Sequence, residues 1–365
     1  MALVKLGSGS NLLGYYMYHG GTNPEGLTTL NENQRTTATN YNDMPVMTYD
    51  FQAPLGEFGQ TYPQYYMLRP LHLFMQDWGE QLAPMEPSFP TPQDLKKGDD
   101  MQLRWAYRSQ GNSGFVFINN YERLQTLSAK KNVQLSACGV DFPRLTIPAG
   151  TMAIFPVNID GIRYATAQLV ASREGKTYLM QIPGIPTTIS MMNGKQLNNV
   201  KPLGTQRPVY GNLYLITREQ AERLFLEAPE FSESPASPAV AVSFTKVREA
   251  GQLRQITIGA QKVAEEPQDE DFAQAAVYKL TLPERTEGLL SIKYRGDVAR
   301  LYADGKLIAD NFYYGRPFLY GLWRLPEGTK ELELRILPLQ KDMPVYLPRE
   351  ADATPGEQVY KVEIK

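Results

Sequence analysis

Disulfides within the chain are excluded, because its 365 residues include a single cysteine, Cys138, and the redox compartment stays open for the same reason. Histidine is almost as scarce. His19 and His72 are the only two, neither has a partner at ligand spacing, and a zinc site would have to rest mainly on carboxylates, which is unusual. Charge of one sign is also missing: 37 basic residues face 39 acidic ones, a formal net charge of -2. Nucleic acid and anionic membrane surfaces both select for basic proteins, so neither is expected as a partner. No run approaches the roughly 20 apolar residues of a membrane span. The start, Met1-Ala2-Leu3-Val4-Lys5-Leu6 followed at once by Gly7-Ser8-Gly9-Ser10, does not read as a signal peptide. Walker, dinucleotide and Gly-x-Ser-x-Gly signatures are absent, and no cofactor is called for.

Tyrosine, glycine and proline are plentiful, at 22, 29 and 27 residues. Frequent turns with many aromatic rings suit β-rich domains, including those that stack sugar CH faces on rings. The chain length allows two or three domains.

Residues 1–85 differ from the rest. The run Leu12-Leu13-Gly14-Tyr15-Tyr16-Met17-Tyr18 predicts a strand buried on both faces, as in a parallel sheet. Residues 24–46 are polar, turn-rich and aperiodic, and predict a long loop. A helix is expected from an N-cap at Thr61, with Pro63 in its first turn. Its apolar face would carry Tyr65, Leu68, Leu71, Met75 and Trp78, with a kink at Pro70. Strand, loop and helix make one βα unit.

From residue 86 the period changes to two. Short alternating stretches around 102–107, 114–120, 145–150 and 151–156 predict an antiparallel β domain over 86–228. A short helix is expected at Thr217, with Gln220 completing a capping box. Residues 229–240, rich in Pro, Ser and Glu, predict a linker. Alternation resumes at 277–282, 290–294 and 298–302, and Asp304-Gly305 predicts a hairpin. With 332–337 and 359–364 these strands predict a β-sandwich or jelly-roll over 241–365.

Among the early carboxylates, Glu25 and Glu32 read as solvated loop residues and Asp50 as a turn cap. Glu57 reads as a helix-dipole partner. The aromatic group Phe312, Tyr313, Tyr314, Phe318, Tyr320 and Trp323 reads either as sandwich core or as a sugar-binding patch.

Two stretches carry a family resemblance. Tyr15-Tyr16-Met17-Tyr18-His19-Gly20-Gly21-Thr22-Asn23 resembles the Tyr-Met-Phe-His-Gly-Gly-Thr-Asn motif at the last barrel strand of glycoside hydrolase family 35, the retaining β-galactosidases. Tyr49-Asp50-Phe51-Gln52-Ala53-Pro54-Leu55-Gly56-Glu57-Phe58-Gly59 is similar to that family's downstream Tyr-Asp-Tyr-Asp-Ala-Pro-Leu-x-Glu-x-Gly. Weaker similarity extends through 115–120, 163–167 and 297–306. The resemblance implies the carboxyl-terminal part of a bacterial-type enzyme: the last βα unit of a (β/α)8 barrel, then antiparallel β domains ending in a galactose-binding-like sandwich. It implies a β-galactoside or polysaccharide-derived sugar as ligand, and a periplasmic or secreted parent. Tyr16 corresponds to a sugar-contacting tyrosine. Phe51 stands where the family has a second such tyrosine, and so offers a ring face without a hydroxyl. Gly20 and Gly21 would permit a tight path at the strand end, or a turn with positive φ. The family's acid/base lies in an Asn-Glu-Tyr-Gly stretch on strand four and its nucleophile near strand seven, and neither stretch is present. Hydrolysis by this chain alone is therefore not expected. An upstream barrel chain or a second copy is the expected protein partner, since an unpaired strand eight would expose an apolar edge.

Overall fold

In the computed structural model the described residues are 1–23, 47–90, 96, 98–122, 125–226, 238–256, 267–284, 287–341, 343, 345 and 347–365. The predicted 24–46 loop, with Glu25 and Glu32, lies outside them, as do residues 229–237 of the predicted 229–240 linker. The fold is mainly β, with several antiparallel sheets. Two compact units emerge: Met1–Tyr16 with Pro63–Glu227, and Met17–Tyr62 with Ala228–Lys365.

The first unit is built on a seven-stranded antiparallel sheet. Its central strands, Met152–Ile159, Ser113–Asn119 and Arg104–Gln110, are adjacent. The Phe115-Val116-Phe117-Ile118 run explains that position, because a strand with apolar side chains on both faces needs cover on both. Phe115, Phe117 and Ile154 face the Pro63–Leu82 helix, joining Phe74, Trp78 and Leu82 in one core. Val116, Ile118 and Phe155 join Leu135, Phe142 and Ile147 in a second. Pro63 is the first residue of the helix, where its missing N–H costs nothing. The cap position therefore falls to Tyr62 rather than to Thr61. The buried stripe is Leu71, Phe74, Trp78 and Leu82, so the packed face is rotated from the predicted one. The helix passes through Pro70 without interruption.

Arg108 organises this unit. It is 1 % exposed, yet it has no carboxylate within ion-pair distance among the described residues. Its guanidinium donates instead to the carbonyls of Leu6, Ser10, Leu82, Ala83 and Met85, and to Asn11 Oδ1, at 2.8–3.4 Å. These carbonyls lie at or just beyond the ends of the Ala2–Gly7 and Pro63–Leu82 helices, where the negative dipole end favours a cation.

The second unit is a β-sandwich. A four-stranded sheet (Val240–Ala241, Gln358–Ile364, Leu289–Arg295, Phe318–Gly321) faces a five-stranded one (Ser243–Arg248, Ala276–Thr281, Glu331–Ile336, Val298–Ala303, Lys306–Phe312). Leu290, Ile292, Val362 and Ile364 meet Tyr278, Leu280, Leu301 and Leu334 between them. Asp304 and Gly305 both have positive φ, 49° and 78°, as a two-residue type I′ hairpin requires.

The predicted strand over 12–18 is not formed. Residues 11–15 are irregular, and Leu12 and Tyr16 are 90 % and 89 % exposed. A parallel strand needs a neighbour along each edge to pair its backbone, and no described strand takes that place. The ladder that does form is short and antiparallel, Gly21–Thr22 against Thr48–Tyr49. The 1–85 stretch is consequently divided: its helix belongs to the first unit and 17–62 to the second.

Candidate functional site

The chemistry-bearing residues of the second unit gather around the Gly21–Thr22 and Thr48–Tyr49 ladder. Asp310, on the Lys306–Phe312 strand, holds it in place: its carboxylate accepts from the Met47 and Thr48 backbone N–H groups at 2.8 and 2.7 Å. Asp310 is 2 % exposed, so two backbone donors meet a charge that would otherwise be costly to bury.

Asp50 closes the following turn. Its Oδ1 accepts from Gln52 N at 2.9 Å and its Oδ2 from Glu57 N at 2.6 Å, while Ala53 N donates to Asp50 O at 3.0 Å. Inside that turn Phe51 and Gln52 both adopt left-handed backbone, φ 47° and 56°. Such a conformation costs a residue with a side chain roughly 1–2 kcal/mol, and persists where surrounding bonds over-determine it. The result is that Phe51 stands 44 % exposed, its ring edge-on to Tyr49 with centroids 4.7 Å apart. The cleft beside it, lined by Thr48, Asp50, Gln52, Asn311, Phe312 and Tyr314, measures about 20 Å³. That admits one water and no sugar ring, so Phe51 offers a platform rather than a pocket.

Glu57 was expected to serve a helix dipole. It does not: the helix begins six residues later, and Glu57 is buried at 8 % exposure. Oε1 accepts from Thr22 Oγ1, and Oε2 from Thr48 Oγ1 at 2.8 Å. Arg324 donates to Thr22 Oγ1 at 2.7 Å and approaches Glu57 Oε1 to 3.6 Å. Burial pushes the Glu57 carboxyl up to about 7, against the lowering effect of the two hydroxyls and Arg324, with the nearby Asp50 charge adding to the rise. Burial raises Asp50 as well. A carboxylic acid near neutrality can serve acid–base chemistry. Here, however, each oxygen of Glu57 and Asp50 accepts a hydrogen bond from this same segment, which makes both anchors.

Gly20 is explained by the same packing. A Cβ on Gly20 would lie 2.9 Å from Asp50 Cα and 2.9 Å from Glu57 N, whereas one on Gly21 would meet nothing within 4 Å. Neither glycine has positive φ, so close approach is the requirement, and only at Gly20. Gly20→Ala is expected to destabilise the second unit by about 2 kcal/mol, since forced backbone shifts of this kind cost about 1–3 kcal/mol, and Gly21→Ala to leave it unchanged or slightly more stable. Urea denaturation of the two variants checks this, and equal losses would contradict it.

The structure does not bring the two expected sugar-contacting residues into one unit. Tyr16 ends the Met1–Tyr16 piece of the first and Phe51 lies in the second. Both histidines have local partners: His72 Nε2 with the Tyr15 hydroxyl at 2.9 Å, His19 Nδ1 with the Gly20 carbonyl at 2.5 Å. Among the described residues no group of three His, Cys, Asp or Glu could hold a metal ion, and no helix is long and apolar enough to cross a membrane. The aromatic group resolves mostly into core, with Tyr313, Phe318 and Tyr320 buried. Trp323 is the exception at 47 % exposure. It is held edge-on to Phe58, and a Cβ on Gly321 would sit 2.7 Å from its Cζ2. Sequence reasoning missed Asp310 and Arg324, which lie about 260 residues or more from their partners. No local signal marks such pairs.

No protein-family model matches this chain. Among solved structures it is similar to a rhamnosidase from Novosphingobium sp. PP1Y, at 14% sequence identity and a TM-score of 0.18. The match covers 80% of this chain and spans 26% of that protein's length.

Proposed function

We propose that this chain is the carboxyl-terminal part of a retaining β-galactosidase of glycoside hydrolase family 35, acting on terminal β-galactosides. In this reading it contributes sugar-contacting residues while the general acid and nucleophile come from an upstream barrel polypeptide. The observation that supports this best is Phe51. An apolar ring held out to solvent on a strained turn, inside the motif that resembles the family's second sugar-contacting stretch, is poorly explained by stability and well explained by ligand contact.

Alone, the chain is expected to leave p-nitrophenyl β-galactoside intact, because a double displacement needs two accessible carboxylates about 5–5.5 Å apart and Asp50 and Glu57 are occupied as anchors. Turnover that is lost on Glu57→Gln would overturn this. Galactose is expected to bind weakly and to lose about tenfold in affinity in Phe51→Ala, read by line broadening of sugar protons.

A second reading, a non-catalytic sugar-binding or scaffolding module, is favoured by the locked, half-exposed Trp323. In that case Trp323→Ala rather than Phe51→Ala abolishes the galactose signal.

A further inference from the structure

A cavity in the first unit, open to solvent, lies between the Pro63–Leu82 helix and the edge of the Ala167–Arg173 and Lys176–Gln181 hairpin and measures about 320 Å³. That volume is within the range of small-molecule sites. Its walls are apolar and adaptable: Met67 and Leu71 from the helix, Met152 from a strand end, and Met180, which is directly opposite Gln168 in the hairpin register. Methionine side chains of this kind reshape readily around a guest.

Two polar groups interrupt the apolar wall. Gln168 is 5 % exposed and lines the cavity. Its Oε1 accepts from Ile154 N at 3.3 Å, which fixes the amide orientation and leaves Nε2 on the other side. Nε2 has no hydrogen-bond partner among the described residues, and neither has the hydroxyl of Thr151, 7 % exposed and also lining the cavity. Neither atom is sealed from solvent, so both are open to the cavity, where a ligand acceptor takes the place of water. At the rim the charged side chains Arg218 and Glu222 pair with each other, Nε lying 2.9 Å from Oε1.

We infer that this cavity is a binding site for a neutral, largely apolar small molecule that carries a hydrogen-bond acceptor oxygen at its inner end. The apolar body takes the place of water against the methionines, and the oxygen accepts from Gln168 Nε2 and Thr151 Oγ1. A neutral ligand is favoured, because the two charged side chains on the lining are paired with each other. The site is independent of the sugar-contacting residues proposed above.

The test uses two probes of nearly equal shape, acetophenone with a carbonyl oxygen and ethylbenzene without one. Each is titrated into the full chain carrying ¹³C-methyl methionine. The Met67, Met152 and Met180 methyl signals are expected to shift together and saturably, with Met101, 86 % exposed, unmoved. Acetophenone should bind about fivefold to tenfold more tightly, the worth of one net hydrogen bond. Gln168→Glu keeps the acceptor for Ile154 N and removes the donor, and should erase that preference. No saturable shift with either probe, or equal affinities for the two in the wild-type chain, overturns the assignment. The wild-type comparison decides the matter even if the variant does not fold.

Discussion

Replacing Arg108 by methionine is expected to lower the unfolding midpoint of the first unit by about 10–15 °C. The side chain is fully buried and donates to five carbonyls and one side-chain amide oxygen. Methionine preserves much of the apolar stem but none of the donors. The Ser10 and Met85 carbonyls then lose their donor, at about 1–3 kcal/mol each before water enters, while those of Leu6, Leu82 and Ala83 keep Gly9 N, Met85 N and Asn11 Nδ2. A net loss of about 4 kcal/mol is a reasonable sum, and at this size each kcal/mol moves the midpoint by about 2–4 °C. Arg108→Lys should recover only part of the loss, because one ammonium cannot span acceptors arranged around a planar fork. The indole N–H of Trp78, which donates to Asp160 Oδ2 at 2.9 Å, provides an NMR signal within the same unit. A midpoint within 3 °C of wild type would show that the carbonyls find other donors.

The second unit is expected to lose stability as pH rises from about 4.5 to 7. In the unfolded chain Glu57 releases its proton near the ordinary value of 4.5, while in the folded protein burial holds it to about 7. Between those values the native state binds more protons than the unfolded state, so the unfolding free energy falls with increasing pH. The full difference is on the order of 3 kcal/mol. Asp50, raised by burial, adds a loss of the same sign at lower pH. The groups facing Glu57 are the Thr22 and Thr48 hydroxyls, Arg324 and Asp50, and the guanidinium moderates the effect without reversing it. Glu57→Gln mimics the protonated acid and should flatten the slope, leaving the variant more stable than wild type at pH 8 and no better at pH 5. Urea titrations at several pH values, read at the Trp323 indole signal, provide the measurement. A slope that persists unchanged in the glutamine variant would assign it to other groups.

Features set by neighbours in sequence were legible from the sequence. The Thr217–Gln220 capping box forms as expected, with the Thr217 side chain accepting from Gln220 N. The Asp304-Gly305 hairpin, the Ser113–Asn119 strand and the alternating strands of the sandwich stand where their patterns placed them. Each depends on a backbone preference or a side-chain period within a few residues, and Asp50 belongs with them, since the N–H groups that donate to it lie only two and seven residues ahead.

The tertiary structure decided what depends on a distant partner. The 12–18 run is apolar enough for a buried strand, but pairing belongs to the neighbour as much as to the strand, and no described strand lies alongside it. Glu57 is an ordinary surface carboxylate by its local sequence and becomes an anchor only because Thr22, Thr48 and Arg324 converge on it. Arg108 carries no mark that separates it from the exposed arginines, since its acceptors are backbone carbonyls that any sequence supplies. Composition and period determined that the chain is β-rich, turn-dense and nearly neutral, with one cysteine and few histidines. Which charges lie buried, and which rings remain at the surface, followed from long-range packing, because desolvation depends on every neighbour in space and on few in sequence.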